Sequence, residues 1–180
     1  MSNDESLRFP LGRFQRQASY SAAERAAHIE RLSTQPARLV AAVSGFGDQD
    51  WEHPYRPGGW TVRQLVHHVA DSHVNAYIRV KLGLTEVEPT IKPYDQDAWV
   101  TLADSTLSPL VSLTMLDATH TRLVAVLRSM TADQFARTIN HPENGIMTLD
   151  DVAAMYAWHG DHHVRQVENY RAARGKTART

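Results

Sequence analysis

The chain has no cysteine among its 180 residues. That excludes disulfides, thiolate-held zinc, iron–sulfur clusters and a protein thiol nucleophile. It also lacks a surplus of either charge: 19 Lys and Arg stand against 20 Asp and Glu, a net charge of −1. Counterion-driven binding to nucleic acid or anionic lipid therefore has no source, and neither is expected as a partner. Long apolar runs are missing too. The longest, Val152 to Trp158, holds seven residues, against the ~20 needed to span a bilayer. The opening stretch MSNDESLRFPLGRFQRQASY is charged throughout and has no apolar signal-peptide core. The expectation is a cytoplasmic protein with no membrane partner.

What is present is an ordinary globular composition, 42% hydrophobic and 22% charged, enough to bury a core without staples. One domain over residues 1–180 is expected, ordered from about 8 to 172. Ser21 and Glu24 form a capping box that opens a first helix, with Pro36 predicting a kink or two abutting helices. The segment EHPYRPGGW (52–60) reads as a loop. Thr61 and Gln64 then open a second helix with Val62, Leu65, Val66, Val69, Ala76, Tyr77 and Val80 on one stripe. A Pro-rich connection follows, with a short helix within Asp95 to Leu102. A third long helix starts at Pro109 and ends near Met130, with a helical turn over Thr131 to Arg137 beyond it. HPENGIM (141–147) reads as the last loop, and Thr148 with Asp151 opens a final helix to about Arg174, before a basic, frayed end. No segment alternates like a strand for long enough to build a sheet. Four long amphipathic helices predict an all-α bundle.

Ten histidines are the unusual feature. His67, His68 and His73 cluster on the second long helix; His159, His162 and His163 cluster on the last. His159 and His163 are one turn apart, so both rings leave the same face and can grip one ion. At 100° per residue they fall in the arc of Val152, Tyr156 and Val167, the buried face, whereas His162 falls outside it. An inward imidazole is costly without a partner, so the pair is either hydrogen-bonded in the core or ligates a metal. A third imidazole would complete a set of three with open positions, the arrangement of catalytic zinc. On the second helix, periodicity puts His73 near the centre of the apolar stripe, His68 on its flank and His67 nearly opposite, towards solvent. Near a bundle's end a flanking residue faces a different neighbour, which keeps His68 open as the third ligand.

GGWTVRQLVHHVADSH, followed late in the chain by YAWHGDHH, resembles the DinB-like superfamily of metal-binding four-helix bundles. More narrowly the chain is similar to the YfiT-type metal-dependent hydrolases, a group that includes bacillithiol S-transferases. The likeness spans residues 8–170 and takes in PYRPGGWTVRQ, IKPYD and the HP after the third helix. It implies an up-down-down-up four-helix bundle, a homodimer, and one divalent metal per chain, zinc or nickel. It also implies as ligands the His eight residues after the Trp of GGWT and the two His of the late HxxxH: His68, His159 and His163. Asp71, three residues after His68, and His73 are candidates to orient a ligand or to be plain structural residues. Trp60, Tyr77 and Trp158 are expected in the core or a pocket wall; Arg63, Arg79 and Arg165, on the metal-bearing helices, are candidates to meet an anionic substrate and are expected rather in solvent.

A metal so held supports two routes, attack by water or attack by a small-molecule thiol, on a small electrophile. With no cysteine in the chain, any thiol is a cosubstrate, such as bacillithiol where the resemblance holds. The absence of HExxH removes the Glu-assisted hydrolytic mechanism and favours thiol transfer. The alternative reading is a bundle that binds metal or ligand without turnover, as in a stress response.

Overall fold

The computed structural model describes residues 3–177. Its helices are α1 (Asn3–Arg8), α2 (Ala22–Val43), α3 (Asp48–Glu52), α4 (Val62–Thr85), α5 (Gln96–Trp99), α6 (Pro109–Ser129), α7 (Ala132–Phe135) and α8 (Leu149–Thr177). Short strands β1 (Thr138–His141) and β2 (Gly145–Thr148) lie between α7 and α8. The expected caps are in place. Ser21 Oγ accepts from the Glu24 N–H and Thr61 Oγ1 from the Gln64 N–H, starting α2 and α4. Pro109 occupies the first turn of α6, where its missing N–H costs nothing.

Contacts between helices fix their directions. Arg25 pairs with Asp150, Arg38 with Asp161, and Arg171 donates to the Ala41 carbonyl, so α2 and α8 run parallel. Arg63 meets the Leu107 carbonyl, His67 meets Ser112 and His73 meets His120, so α4 and α6 are parallel too. Between the pairs the sense reverses: His68 lies beside His163 while Arg79 reaches back to Tyr156. The result is a four-helix bundle in up-down-down-up order. Because α4 and α6 run the same way, residues 86–108 must cross back along the bundle before α6 begins. That crossover carries Tyr94, Asp95 and Gln96.

The core is two apolar halves. One gathers Leu32, Val80, Leu123, Leu127, Ile139, Leu149 and Tyr156. The other gathers Leu39, Leu65, Val69, Leu116, Val164 and Val167. Between them, at the same level on three helices, sit Gln35, His73 and His120, at 1%, 0% and 2% exposure. A buried polar layer thus crosses the bundle: His73 and His120 are hydrogen-bonded within it, whereas the Gln35 side-chain amide has no hydrogen-bond partner among the described residues.

Four expectations are corrected. Pro36 does not divide its helix into two abutting ones, and α2 is continuous from Ala22 to Val43. The segment read as the last loop is a hairpin, Ile139 opposite Met147, with Gly145 at φ 69° ending the turn. Four-residue strands are too short for alternation to register. A first helix, α1, precedes Ser21, and α8 passes through Gly175 to Thr177 rather than fraying at Arg174; residues 178–180 lie outside those described. Among the described residues α6 has the length and mean hydropathy of a membrane span, but Leu113, Leu116, Leu123 and Leu127 from it are core.

At Gly83, α4 approaches the hairpin end of α8 closely: a Cβ there would lie 2.7 Å from Leu149 Cδ2 and 3.0 Å from Ile139 Cγ2. Overpacking of about 1–3 kcal/mol exceeds the roughly 1 kcal/mol helix-propensity gain. Gly83→Ala is expected to lower the urea midpoint. Gly175→Ala, with nothing within 4 Å of its added Cβ, should hold or slightly raise it.

Candidate metal centre

His68 projects from α4 and His159 and His163 from α8 into one spot, with their ligand atoms all within 4.8 Å of one another. His159 Nε2 lies 3.3 Å from His68 Nε2 and 3.1 Å from His163 Nε2. Trp60 packs on the His68 ring at 4.7 Å between centroids and covers it from the loop before α4.

The hydrogen bonds around this trio decide which nitrogens carry protons. Pro36 has no N–H, so the Leu32 carbonyl four residues earlier loses its helical partner. His120 Nδ1 takes that place at 2.6 Å. A carbonyl only accepts, so His120 Nδ1 carries the proton and its Nε2 is bare. His73 Nδ1 therefore donates to His120 Nε2 at 2.8 Å, leaving His73 Nε2 to accept from His159 Nδ1 at 3.2 Å. Through three imidazoles the freed carbonyl leaves a lone pair on His159 Nε2. His163 is set independently. Gln166 Nε2 donates to the Arg8 carbonyl at 2.8 Å, which turns its Oε1 towards His163 Nδ1, also 2.8 Å away. His163 Nδ1 is then protonated and Nε2 bare.

Two bare nitrogens 3.1 Å apart make no hydrogen bond with each other; their lone pairs repel unless a cation lies between them. Nitrogens bound to one tetrahedral ion at about 2.0–2.1 Å sit roughly 3.3–3.4 Å apart. The donor set thus fits a borderline divalent ion in both chemistry and spacing.

Burial also keeps these rings neutral. It lowers the His68 pKa to about 4, and it holds His159 and His163 well below the ordinary value, neighbouring imidazoles adding to the effect. Neutral imidazole is the form that ligates metal.

The trio lies between two cavities, of about 780 and about 440 Å³, that share His68, Gln96, Trp158 and His159 as walls. The larger adds Phe14, Tyr94, His141 and Tyr156; the smaller adds Arg8, Tyr55, Trp60 and His163. Segments outside the four long helices therefore complete both.

The structure gathers His68, His159 and His163 and leaves the other candidates elsewhere. His73 touches the trio through His159 Nδ1 only. Asp71 is half-buried and makes no hydrogen bond to an imidazole among the described residues; burial and the Asp104 charge push its carboxyl up to about 6. His67 is not on the surface: at 6% exposure it bridges Ser112 Oγ and the Leu107 carbonyl, tying α4 to the start of α6. His162, placed outside the buried arc by the helical wheel, is 5% exposed because the N-terminal segment covers it with Phe9, while it stacks on Trp158. Arg63 and Arg165 hold Glu52 and Glu168, whereas Arg79 is buried. Two residues escaped sequence reasoning. His120 stands on the stripe of Leu116, Leu123 and Leu127, which marks it as inward; Gln166, three residues after His163, carries no such mark.

Fold and site together define an up-down-down-up four-helix bundle with three convergent imidazoles in its wall. The chain belongs to the DinB superfamily, which it matches over residues 31–167. It is 44% identical over 165 residues to a protein of Bacillus cereus (strain B4264), covering 92% of this chain and 95% of the relative. It is 44% identical over 164 residues to YfiT of Bacillus subtilis (strain 168), covering 90% and 92%. Both relatives carry names that place them among metal-dependent hydrolases. The solved structure of YfiT, a four-helix bundle of unusual topology, superimposes with a TM-score of 0.92 at 43% identity, over 94% of this chain and 98% of YfiT. TT2238, another four-helix bundle, shares the fold at a TM-score of 0.55 and 18% identity, over 78% and 95%.

Two outcomes are expected. The buried histidines bind protons less readily folded than unfolded, so stability is fully present above the ordinary pKa of about 6.5 and is lost as pH falls from there towards about 4. In metal-free protein the unfolding free energy should drop by up to about 1.4 kcal/mol per pH unit for each such histidine, read by urea titrations across that window. Pro36→Ala supplies an N–H that competes for the Leu32 carbonyl. The variant should be at least as stable, since a helical proline costs about 3 kcal/mol, yet bind zinc about 10–100-fold more weakly in chelator competition.

Proposed function

We propose that the chain is a metal-dependent enzyme in which His68, His159 and His163 hold one divalent ion, zinc before nickel. In this reading a low-molecular-weight thiol attacks a small electrophile beside that ion. The observation that carries it is the pair of fixed, bare Nε2 atoms of His159 and His163, turned towards His68 between two cavities. A divalent ion there supplies Lewis acidity, bringing the pKa of water or of a thiol towards neutrality.

The chain's own groups do the rest. The two cavities give a nucleophile-bearing molecule and an electrophile separate seats on either side of Trp158. The Tyr94 hydroxyl, its pKa pushed up to about 12 by burial, and the Tyr156 hydroxyl, raised likewise, keep their protons at neutral pH and act as donors towards a developing negative charge. No carboxylate is hydrogen-bonded to the trio among the described residues, although Asp95, His141 and Glu143 line the larger cavity with His68 and His159. Hydrolysis is the second reading, favoured by the names of the relatives. A homodimer belongs to the same proposal, and Leu107, Leu110 and Val111, more than half exposed at the start of α6, offer it an apolar face.

The test begins with metal content on untagged protein. About one ion per chain is expected, lost in His159→Ala and in His163→Ala. Chlorodinitrobenzene is then offered to the loaded protein with and without added thiol. Turnover that needs the thiol supports transfer, turnover of an ester without it supports hydrolysis, and a bound ion with neither leaves a metal-binding bundle.

A further inference from the structure

Arg79 is 7% exposed, yet its guanidinium stays charged in any protein environment. One of its N–H groups donates to Tyr156 Oη at 2.7 Å. No carboxylate oxygen lies within 4.0 Å of it among the described residues. A buried cation without a counter-ion is destabilising, and a protein keeps one only where something compensates it. The side chain lines the larger cavity, whose wall includes His68 and His159 as well as Tyr94 and His141. The Arg79 charge reaches across it, opposing protonation of His141 and holding down the proton affinity of Tyr94. Asp95 and Glu143 also line this cavity. Asp95 is engaged in capping α5.

We propose that Arg79, with the Tyr156 hydroxyl beside it, is the receptor for a carboxylate on the electrophilic substrate, whose reactive atom then faces His68 and His159. This rests on the reading of the trio as a catalytic metal centre and names the substrate class: small electrophiles bearing a single carboxylate. Geometry favours a planar oxyanion, because the guanidinium fork matches a carboxylate with two parallel hydrogen bonds. Charge favours a monoanion. One guanidinium balances one negative charge, the neighbouring tyrosines are neutral donors, and Asp95 and Glu143 repel a phosphate dianion. A cavity of about 780 Å³ suits a small molecule rather than a polymer.

The experiment uses unreactive probes, so it does not depend on turnover. Benzoate, benzamide and inorganic phosphate are titrated calorimetrically into the full chain, with the metal present and with it removed by chelator. Benzoate is expected to bind in both forms, at least tenfold more tightly than benzamide or phosphate. Arg79→Gln should lose that preference with its metal content unchanged, and Arg79→Lys should recover part of it. In wild-type protein benzoate should also shift the Arg79 Nε–H resonance, a readout that stands if either variant fails to fold. Equal binding of benzoate and benzamide, tighter binding of phosphate, or benzoate binding that survives Arg79→Gln overturns the proposal. A benzoate site dependent on Arg79 in a protein that turns over nothing would uphold it and sink the enzyme reading instead.

Discussion

The hydrogen bond from His120 Nδ1 to the Leu32 carbonyl is the interaction on which the centre of this molecule depends. It exists because a proline sits four residues further along α2 and cannot use that carbonyl. From this one fixed acceptor, proton positions follow without choice through His120, His73 and His159. They end in a lone pair on the atom that faces His68 and His163. A polar residue in a core is expensive, and a chain of them is tolerable only when every link is satisfied. Here the chain is satisfied at the helix end by the orphaned carbonyl. At its other end it leaves a bare nitrogen facing the other two imidazoles.

That relay also explains why the core is divided. Residues lining one level of a bundle must be alike in polarity, since each packs against the others at that height. His73, His120 and Gln35 occupy such a level, and the apolar residues of α2, α4, α6 and α8 close above and below it. The two halves hold the layer in register; the layer aims His159. His163 is anchored separately through Gln166 and the Arg8 carbonyl, so the N-terminal segment bears on the centre as well.

The fold was legible in the sequence because its determinants are local. Capping boxes at Ser21, Thr61 and Thr148, Pro109 at the start of α6, and the apolar stripes behind them mark the four long helices, and the likeness to a known superfamily supplies their order. The late pair His159 and His163 was legible for the same reason: a spacing of four on a buried face is a property of one helix. What escaped depended on more than one element. The wheel favoured His73 over His68 because it measures burial, and His73 is indeed the deeper ring; which ring meets α8 at the cluster depends on how the helices cross. His67 and His162 looked solvent-facing on their own helices and are buried by α6 and by the N-terminal segment. Pro36 was read through its cost to a helix, whereas its consequence lies in the carbonyl it leaves free for another helix.

The parallel run of α4 beside α6 has a consequence for divergence. It obliges the chain to send residues 86–108 back along the bundle, and this strand of loop, with Tyr94 and Gln96, walls the cavities that α4 and α8 open. Loop length and sequence change at little thermodynamic cost, while the imidazoles and their relay sit in helices that tolerate almost none. The imidazoles therefore sit in helices, while part of each cavity wall sits in a loop. Rewriting the crossover can reshape that part of the wall and leave the three imidazoles where they are.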